Sequence, residues 1–171
     1  MTFYQHQYQV HQKLEPTFNY FLRKEFLLKF FKKAAPSKLF LKSKDQDTLI
    51  KPNEIIMLYS KFGDYFAEIE VHVLNITKYS KIVTKIIPGN IYYDNWSIDQ
   101  LQSEEFKENT PITIDTIEFK SKHDCIEVIQ STKLENASWF QGVSWKLTGY
   151  TMKLMNRKKH RQIQEEIERL S

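Results

Sequence analysis

A chain of 171 residues with 41% apolar side chains, including 12 Phe, 9 Tyr and 3 Trp, is long enough for one domain with a sizeable core and too short for two ordinary ones. That apolar content excludes a disordered chain, because burying so much surface offsets the entropy of ordering it, and no run is long and apolar enough to span a bilayer. The net charge of +4 is mild, with Lys interspersed among Asp and Glu, which argues against a nucleic-acid face; the lone Cys125 can make neither an internal disulfide nor, alone, a thiolate metal site.

The opening MTFYQHQYQVHQ has no basic lead-in and no continuous apolar run, so no signal peptide is expected there, and the single cysteine suits a reducing cytoplasm. From Phe3 to His11 the residues alternate, with Tyr4, His6, Tyr8 and Val10 on one side and Gln5, Gln7 and Gln9 on the other. This is the pattern of a half-buried strand. At Leu14-Glu15-Pro16 the period changes to that of a helix, with proline suited to a first turn, and Phe18, Phe21 and Leu22 share a face. Arg23-Lys24-Glu25 interrupts it, and Phe26, Leu27, Phe30 and Phe31 make a second short helix that ends before Pro36.

From Leu39 onward the chain reads as strand and turn. Leu39 to Leu41 is short; Glu54 to Ser60 places Ile55, Met57 and Tyr59 on one face, and Lys61-Phe62-Gly63-Asp64 turns it into a hairpin. Tyr65 to Val73 assigns Tyr65, Ala67, Ile69, Val71 and Val73 to the interior against Glu68, Glu70 and His72. Tyr79 to Ile87 points Ile82, Thr84 and Ile86 inward. Pro88-Gly89-Asn90 has turn chemistry, Ile91 to Trp96 reads as a further strand, and the polar Gln100 to Asn109 as a surface loop or one helical turn. Thr110 to Lys120 presents Ile112, Ile114 and Thr116 on one face, and Cys125 to Thr132 presents Ile126 and Val128.

The stretch Ser138 to Met155, SWFQGVSWKLTGYTMKLM, wound at about 100° per residue, stacks Trp139, Phe140, Val143, Leu147, Tyr150 and Leu154 on one helical face, with Asn136 or Ser138 as N-cap. Gly142 and Gly149 fall on one edge of that helix, where they leave room for a ligand or for a close crossing with a sheet. Trp145 and Met152 lie on the opposite face, which Ile163, Ile167 and Leu170 extend. The spacing therefore predicts a domain over residues 1–156 and a helical extension over 157–171. That extension packs outside the main body, on a second copy of the chain or on the protein's own flank, or is a solvated tail. The basic run Arg157-Lys158-Lys159-His160-Arg161, followed by Glu165, Glu166 and Glu168, reads as a solvated helix end.

This order of elements resembles the START-like (SRPBCC) superfamily, the helix-grip fold of polyketide cyclases, lipid-transfer domains and birch-pollen-type allergens. The likeness covers nearly the whole chain and is carried by LEPTFNYFLRKEFLLKFF, by LIKPNEIIMLYSKFGDYFAEIEVHVLNITKYSKIVTKII and by WFQGVSWKLTGYTMKLM. It implies an α+β fold in which a curved antiparallel sheet of six or seven strands wraps around a long C-terminal helix, with two short helices after the first strand. It further implies an apolar cavity between sheet and helix. Such a cavity would be lined by His6, Tyr8, Met57, Tyr59, Tyr65, Ile69, Ile82, Thr84, Ile114, Val128, Trp139, Val143, Leu147 and Tyr150.

His6 stands out as an anchor for a polar ligand head, although a core histidine satisfied by a neighbouring hydroxyl is the plainer reading. The chain has no HExxH, CxxC, GxSxG or glycine-rich phosphate loop. His72 and Glu70 lie two apart on the outward face, His11 and His123 sit near strand ends, and Cys125 reads as a small buried hydrophobe. No metal, cofactor or catalytic set is assigned. The expected function is binding or carrying a small hydrophobic molecule such as a lipid or an aromatic metabolite. The alternatives are a cyclase or dehydratase-type enzyme using His6 with Tyr8 or Tyr150, and a co-chaperone-like interaction module using the back face at Trp145, Met152 and Ile163.

Overall fold

The alternating Tyr and Gln residues form strand β1 (Thr2–Val10), pairing along their length with the last strand of the sheet. The structure, a computed structural model, describes residues 2–32, 39–42, 48–62, 65–93, 112–135 and 160–170. After β1 come α1 (Leu14–Leu22), α2 (Lys24–Lys32), β2 (Leu39–Lys42), β3 (Ile55–Phe62), β4 (Tyr65–Thr77), β5 (Lys81–Tyr93), β6 (Ile112–Ser121) and β7 (Ile126–Glu135); residues 160–168 are helical. Seven strands form one antiparallel sheet in the order β1-β7-β6-β5-β4-β3-β2. Strands β2 to β7 are a meander, and β1 closes its β7 edge.

Both expected short helices form. Pro16 sits in the first turn of α1, where no N–H has an intrahelical partner, so its missing donor costs nothing. The break at Arg23 takes an extended backbone and pairs as an isolated bridge with Leu49. Lys24 N donates to Thr48 O (2.8 Å) and Ile50 N to Leu22 O (2.8 Å), so a passing segment satisfies the groups that the break would orphan. The same segment ties down the sheet: Asn53 N donates to Val73 O, Val73 N to Glu54 O, and Lys24 Nζ lies 2.6 Å from the Glu54 carboxylate in a buried ion pair.

The core lies on one face of the sheet. Phe18 and Phe21 of α1 meet Phe119 of β6 edge-on at 5.2 and 5.3 Å between ring centroids, and Phe26 of α2 meets Phe21 at 4.7 Å. Edge-to-face aromatic packing of this kind adds about 0.5–1.5 kcal/mol per pair beyond the area buried. Val10, Val128, Ile82, Val71, Val73, Ile56 and Leu58 complete the sheet side of this core.

Two strands present the face opposite to the expected one. In β3, Ile56 and Leu58 are fully buried while Ile55 is 50% exposed, so Met57 shares the outward side and Tyr59, although buried, does too. Ile55 to Tyr59 is an unbroken apolar run, and a run without alternation carries no parity. In β6 the apolar positions change phase: Ile112 and Ile114 precede Asp115, Ile117 and Phe119 follow it, and the latter two face the core. Ile114 therefore falls on the other side by parity, as does Thr116, although Thr116 also contributes to the lining of the recess on the core face.

Pro88-Gly89-Asn90 is not a turn. β5 runs through it to Tyr93, absorbing the expected strand at Ile91, and takes up one extra residue as a bulge at Gly89-Asn90, opposite the β4 step from Ala67 to Ile69. Proline is tolerated because the β5–β6 pairing extends only over Lys81–Ile86, leaving Pro88 a partner on one side among the described residues.

The terminal segment also differs from expectation. Ile163 and Ile167 are 5% and 0% exposed and belong to the core, and His160 is buried rather than solvated. Of the partners left open for it, the Ile163–Ile167 stripe is used against the chain itself, with Leu170 left 37% exposed. Cys125 is half-buried in the β6–β7 turn, where Lys122 N donates to its carbonyl. Trp96, Gln100 to Asn109, both proposed N-caps, Gly142, Gly149, Trp145 and Met152 lie outside the described residues.

Candidate functional site

The register places one polar row across four neighbouring strands on the core face. Thr84 of β5 pairs with Asp115 of β6, Asp115 with Thr132 of β7, and Thr132 with Tyr4 of β1. All four line a recess that is partly open, with a volume of about 450 Å³ that includes space continuous with solvent. Its remaining walls include Phe26 and Leu27 of α2, Val71, Ile86 and Ile117 of the sheet, and Gln130, one row along β7 from Thr132. An apolar chamber with a few convergent polar groups is the usual make-up of a small-molecule site.

A second polar group adjoins the row at Tyr4. The Tyr4 hydroxyl and His160 Nε2 share a hydrogen bond of 2.6 Å, and the His160 ring stacks on His6 with centroids 3.9 Å apart. Tyr8 lies 5.5 Å from both imidazoles. Gln130 Nε2 donates to the Tyr8 hydroxyl at 3.1 Å, while Gln130 Oε1 is buried and makes no hydrogen bond. Burial pushes the Tyr8 hydroxyl well above the ordinary tyrosine range, and the nearby Tyr20 and Tyr4 reinforce the shift. Tyr20 is raised likewise, first by burial and then by donating to the Glu166 carboxylate at 2.7 Å; Arg23 opposes the shift. The 160–168 helix is thereby pinned to β1 and α1 through His160 and Glu166, and Glu168 accepts from His11 N at 3.1 Å.

The expected lining residues divide into three groups. Thr84 lines the recess itself; Ile69, Ile82 and Val128 lie on the core face; His6 and Tyr8 form the polar cluster beside Tyr4. Met57, Tyr59 and Ile114 are on the opposite face of the sheet, a consequence of the parity shifts in β3 and β6. Tyr65 pairs with Phe62 and Tyr93 in β4, its side chain being outside the description, as are Trp139, Val143, Leu147 and Tyr150 in full. Asp115, Gln130, Thr132 and His160 were not singled out by sequence reasoning. For Asp115 the available signal is the pair Ile117 and Phe119, whose phase puts it on the core face.

No group of three or more His, Cys, Asp or Glu suited to a metal ion occurs among the described residues. His72 Nε2 and Glu70 Oε2 meet at hydrogen-bond distance, 2.8 Å, on the outward face.

No protein-family model and no curated protein matches the chain. Solved structures do match its fold. A protein from Mycobacterium smegmatis is 8% identical over 97% of this chain and 88% of its own, with a TM-score of 0.57. A protein from Staphylococcus epidermidis is 10% identical over 97% of this chain and 87% of its own, with a TM-score of 0.58. Ara h 8.0201 is 9% identical over 98% of this chain and 95% of its own, with a TM-score of 0.57. At such identities the likeness is one of architecture.

Proposed function

From a helix-grip fold of class α+β with an apolar recess on its core face, we infer that the protein binds and carries a small hydrophobic molecule. The observation that carries this reading is the recess itself: apolar walls from α2 and the sheet, with the polar row from Thr84 to Tyr4 and a few further polar residues such as Gln130 along its floor. No helix among the described residues is long and apolar enough to cross a membrane, and the single cysteine supports a cytoplasmic carrier.

Two measurements test the reading. Native mass spectrometry of the protein purified from its source is expected to show a non-covalently retained small molecule. The uncharged fluorophore N-phenyl-1-naphthylamine is expected to bind saturably, and Ile86→Trp, which fills the recess from its wall, to weaken it by about tenfold or more with the circular dichroism unchanged. Ligand-free protein whose weak dye binding ignores Ile86→Trp overturns the reading.

The hydrogen-bonded Tyr4–His160 pair, stacked on His6, supports a second reading in which the same recess orients a reactive intermediate and this cluster moves a proton. It predicts that His160→Asn and His6→Ala abolish turnover while dye binding persists. The interaction-module reading loses Ile163, which is in the core.

A further inference from the structure

Gln130 lines the recess with its hydrogen bonding half complete. The residue is 5% exposed; its Nε2 donates to the Tyr8 hydroxyl at 3.1 Å, while its Oε1 is buried and has no hydrogen-bond partner. Buried amide oxygens are normally satisfied, and one left unpaired costs about 1–3 kcal/mol. Val128 and Leu134, on the same face of β7, are buried and apolar. A leucine between them would pack without that cost, so what the glutamine adds to this wall is the acceptor. Tyr8 carries the matching deficit. Its oxygen accepts the bond from Gln130, so its own hydrogen remains to be given, and no described residue receives it. Burial keeps the phenol protonated and therefore a donor. The Gln130–Tyr8 pair thus ends in one open acceptor and one open donor. Oε1 and Nε2 share an amide carbon and Nε2 touches the Tyr8 hydroxyl, which brings both open positions within reach of a single oxygen atom.

Resting on the carrier reading above, we propose that Gln130 and Tyr8 select an apolar molecule bearing a hydroxyl, an alcohol or a phenol, whose O–H donates to Gln130 Oε1 while its oxygen accepts from the Tyr8 hydroxyl. A hydroxyl is the smallest group that gives one hydrogen bond and receives another at the same atom. An ether oxygen only accepts and leaves Oε1 unpaired; a methyl group leaves both positions open. The apolar body lies against Ile117, Ile86, Val71, Phe26 and Leu27.

The test is a matched series titrated calorimetrically into the full-length protein: 2-naphthol, 2-methoxynaphthalene, which accepts but cannot donate, and 2-methylnaphthalene, which does neither. Gln130→Leu is expected to weaken 2-naphthol by about tenfold or more, because the bound O–H then has no acceptor, and to change the other two by less than about twofold. Tyr8→Phe is expected to weaken 2-naphthol and 2-methoxynaphthalene and to leave 2-methylnaphthalene unchanged. If Gln130→Leu leaves 2-naphthol unchanged, or weakens all three alike, while N-phenyl-1-naphthylamine still binds, the hydroxyl assignment is overturned and the carrier reading stands. Failure of the fluorophore and of all three naphthalenes to bind the parent protein removes the carrier reading and the assignment with it. Should Gln130→Leu not fold, Gln130→Met, which keeps the unbranched shape of the side chain, gives the same comparison.

Discussion

Glu54→Ala is the substitution whose cost is most directly readable. Lys24 Nζ is 2.6 Å from the Glu54 carboxylate, and the two side chains are 4% and 12% exposed, so neither charge has bulk water to turn to. Removing one partner of a buried pair strands the other charge, at a cost of about 3–5 kcal/mol. The location adds to it, since Lys24 opens α2 and Glu54 precedes β3; their contact holds the break between the two helices against the segment that reaches Val73. For a domain of this size about 2–4 °C of melting temperature accompanies each kcal/mol, which gives a fall of about 6–20 °C for Glu54→Ala. Replacing both residues by apolar ones, Lys24→Met with Glu54→Leu, is expected to restore most of the loss, because the desolvation penalty of both ions disappears with them. Calorimetry on the single and double variants measures this. A Glu54→Ala protein that melts within about 2 °C of the parent, or a double variant less stable than the single, would refute the reasoning.

The remaining predictions concern register, close approach and pH. Ile56→Ala should cost about 2–5 kcal/mol and Ile55→Ala less than about 0.5 in urea unfolding, since the first is fully buried and the second half exposed; the reverse order would invert the assigned face of β3. A Cβ at Gly89 would come within 2.9 Å of Glu68 Cβ and 2.8 Å of its Cγ, the near end of that side chain. Gly89→Ala is therefore expected to lose about 1–3 kcal/mol, and Glu68→Gly in the same chain to recover most of it, both read from urea midpoints. Tyr8 and Tyr20 have raised pKa values in the folded state. Their contribution to stability is complete below the unfolded tyrosine value of about 10 and is lost as pH rises beyond it toward the folded values. Urea midpoints measured from about pH 8 to about pH 11 should decline, and Tyr20→Phe should flatten that decline; an unchanged slope would refute the assignment.

The order of elements was legible because it rests on changes of period. Alternation in β1, the switch at Leu14, the charged interruption at Arg23 and the alternation of Tyr65 to Val73 each have one reading. Facing direction was legible only where apolar and polar residues alternate cleanly. Ile55 to Tyr59 has no polar residue to set its phase, and Ile112 to Phe119 changes phase at Asp115, so the place of Asp115 on the core face was concealed by the pattern around it. His160 was hidden for a different reason. Its neighbours are charged, and local composition cannot reveal that a tyrosine far away in sequence will bury it. The β5 strand shows the same limit from the other side: Pro88-Gly89 spells a turn, and pairing with β4 turns it into a bulge within a continuous strand.

The contacts of β1 reach far along the chain. It pairs with residues 126–133, and the hydrogen bonds from Tyr4, His11 and Tyr20 close onto His160, Glu168 and Glu166 across 156, 157 and 146 intervening sequence steps. Contacts that distant demand loop closure before they return any energy. On a ribosome, β1 would therefore emerge well before the partners that seat it: until β7 and the 160–168 helix have been made, its alternating tyrosines lack the neighbours they have in the fold. For that interval the segment that completes the floor of the recess is also the one most in need of protection from the wrong partner.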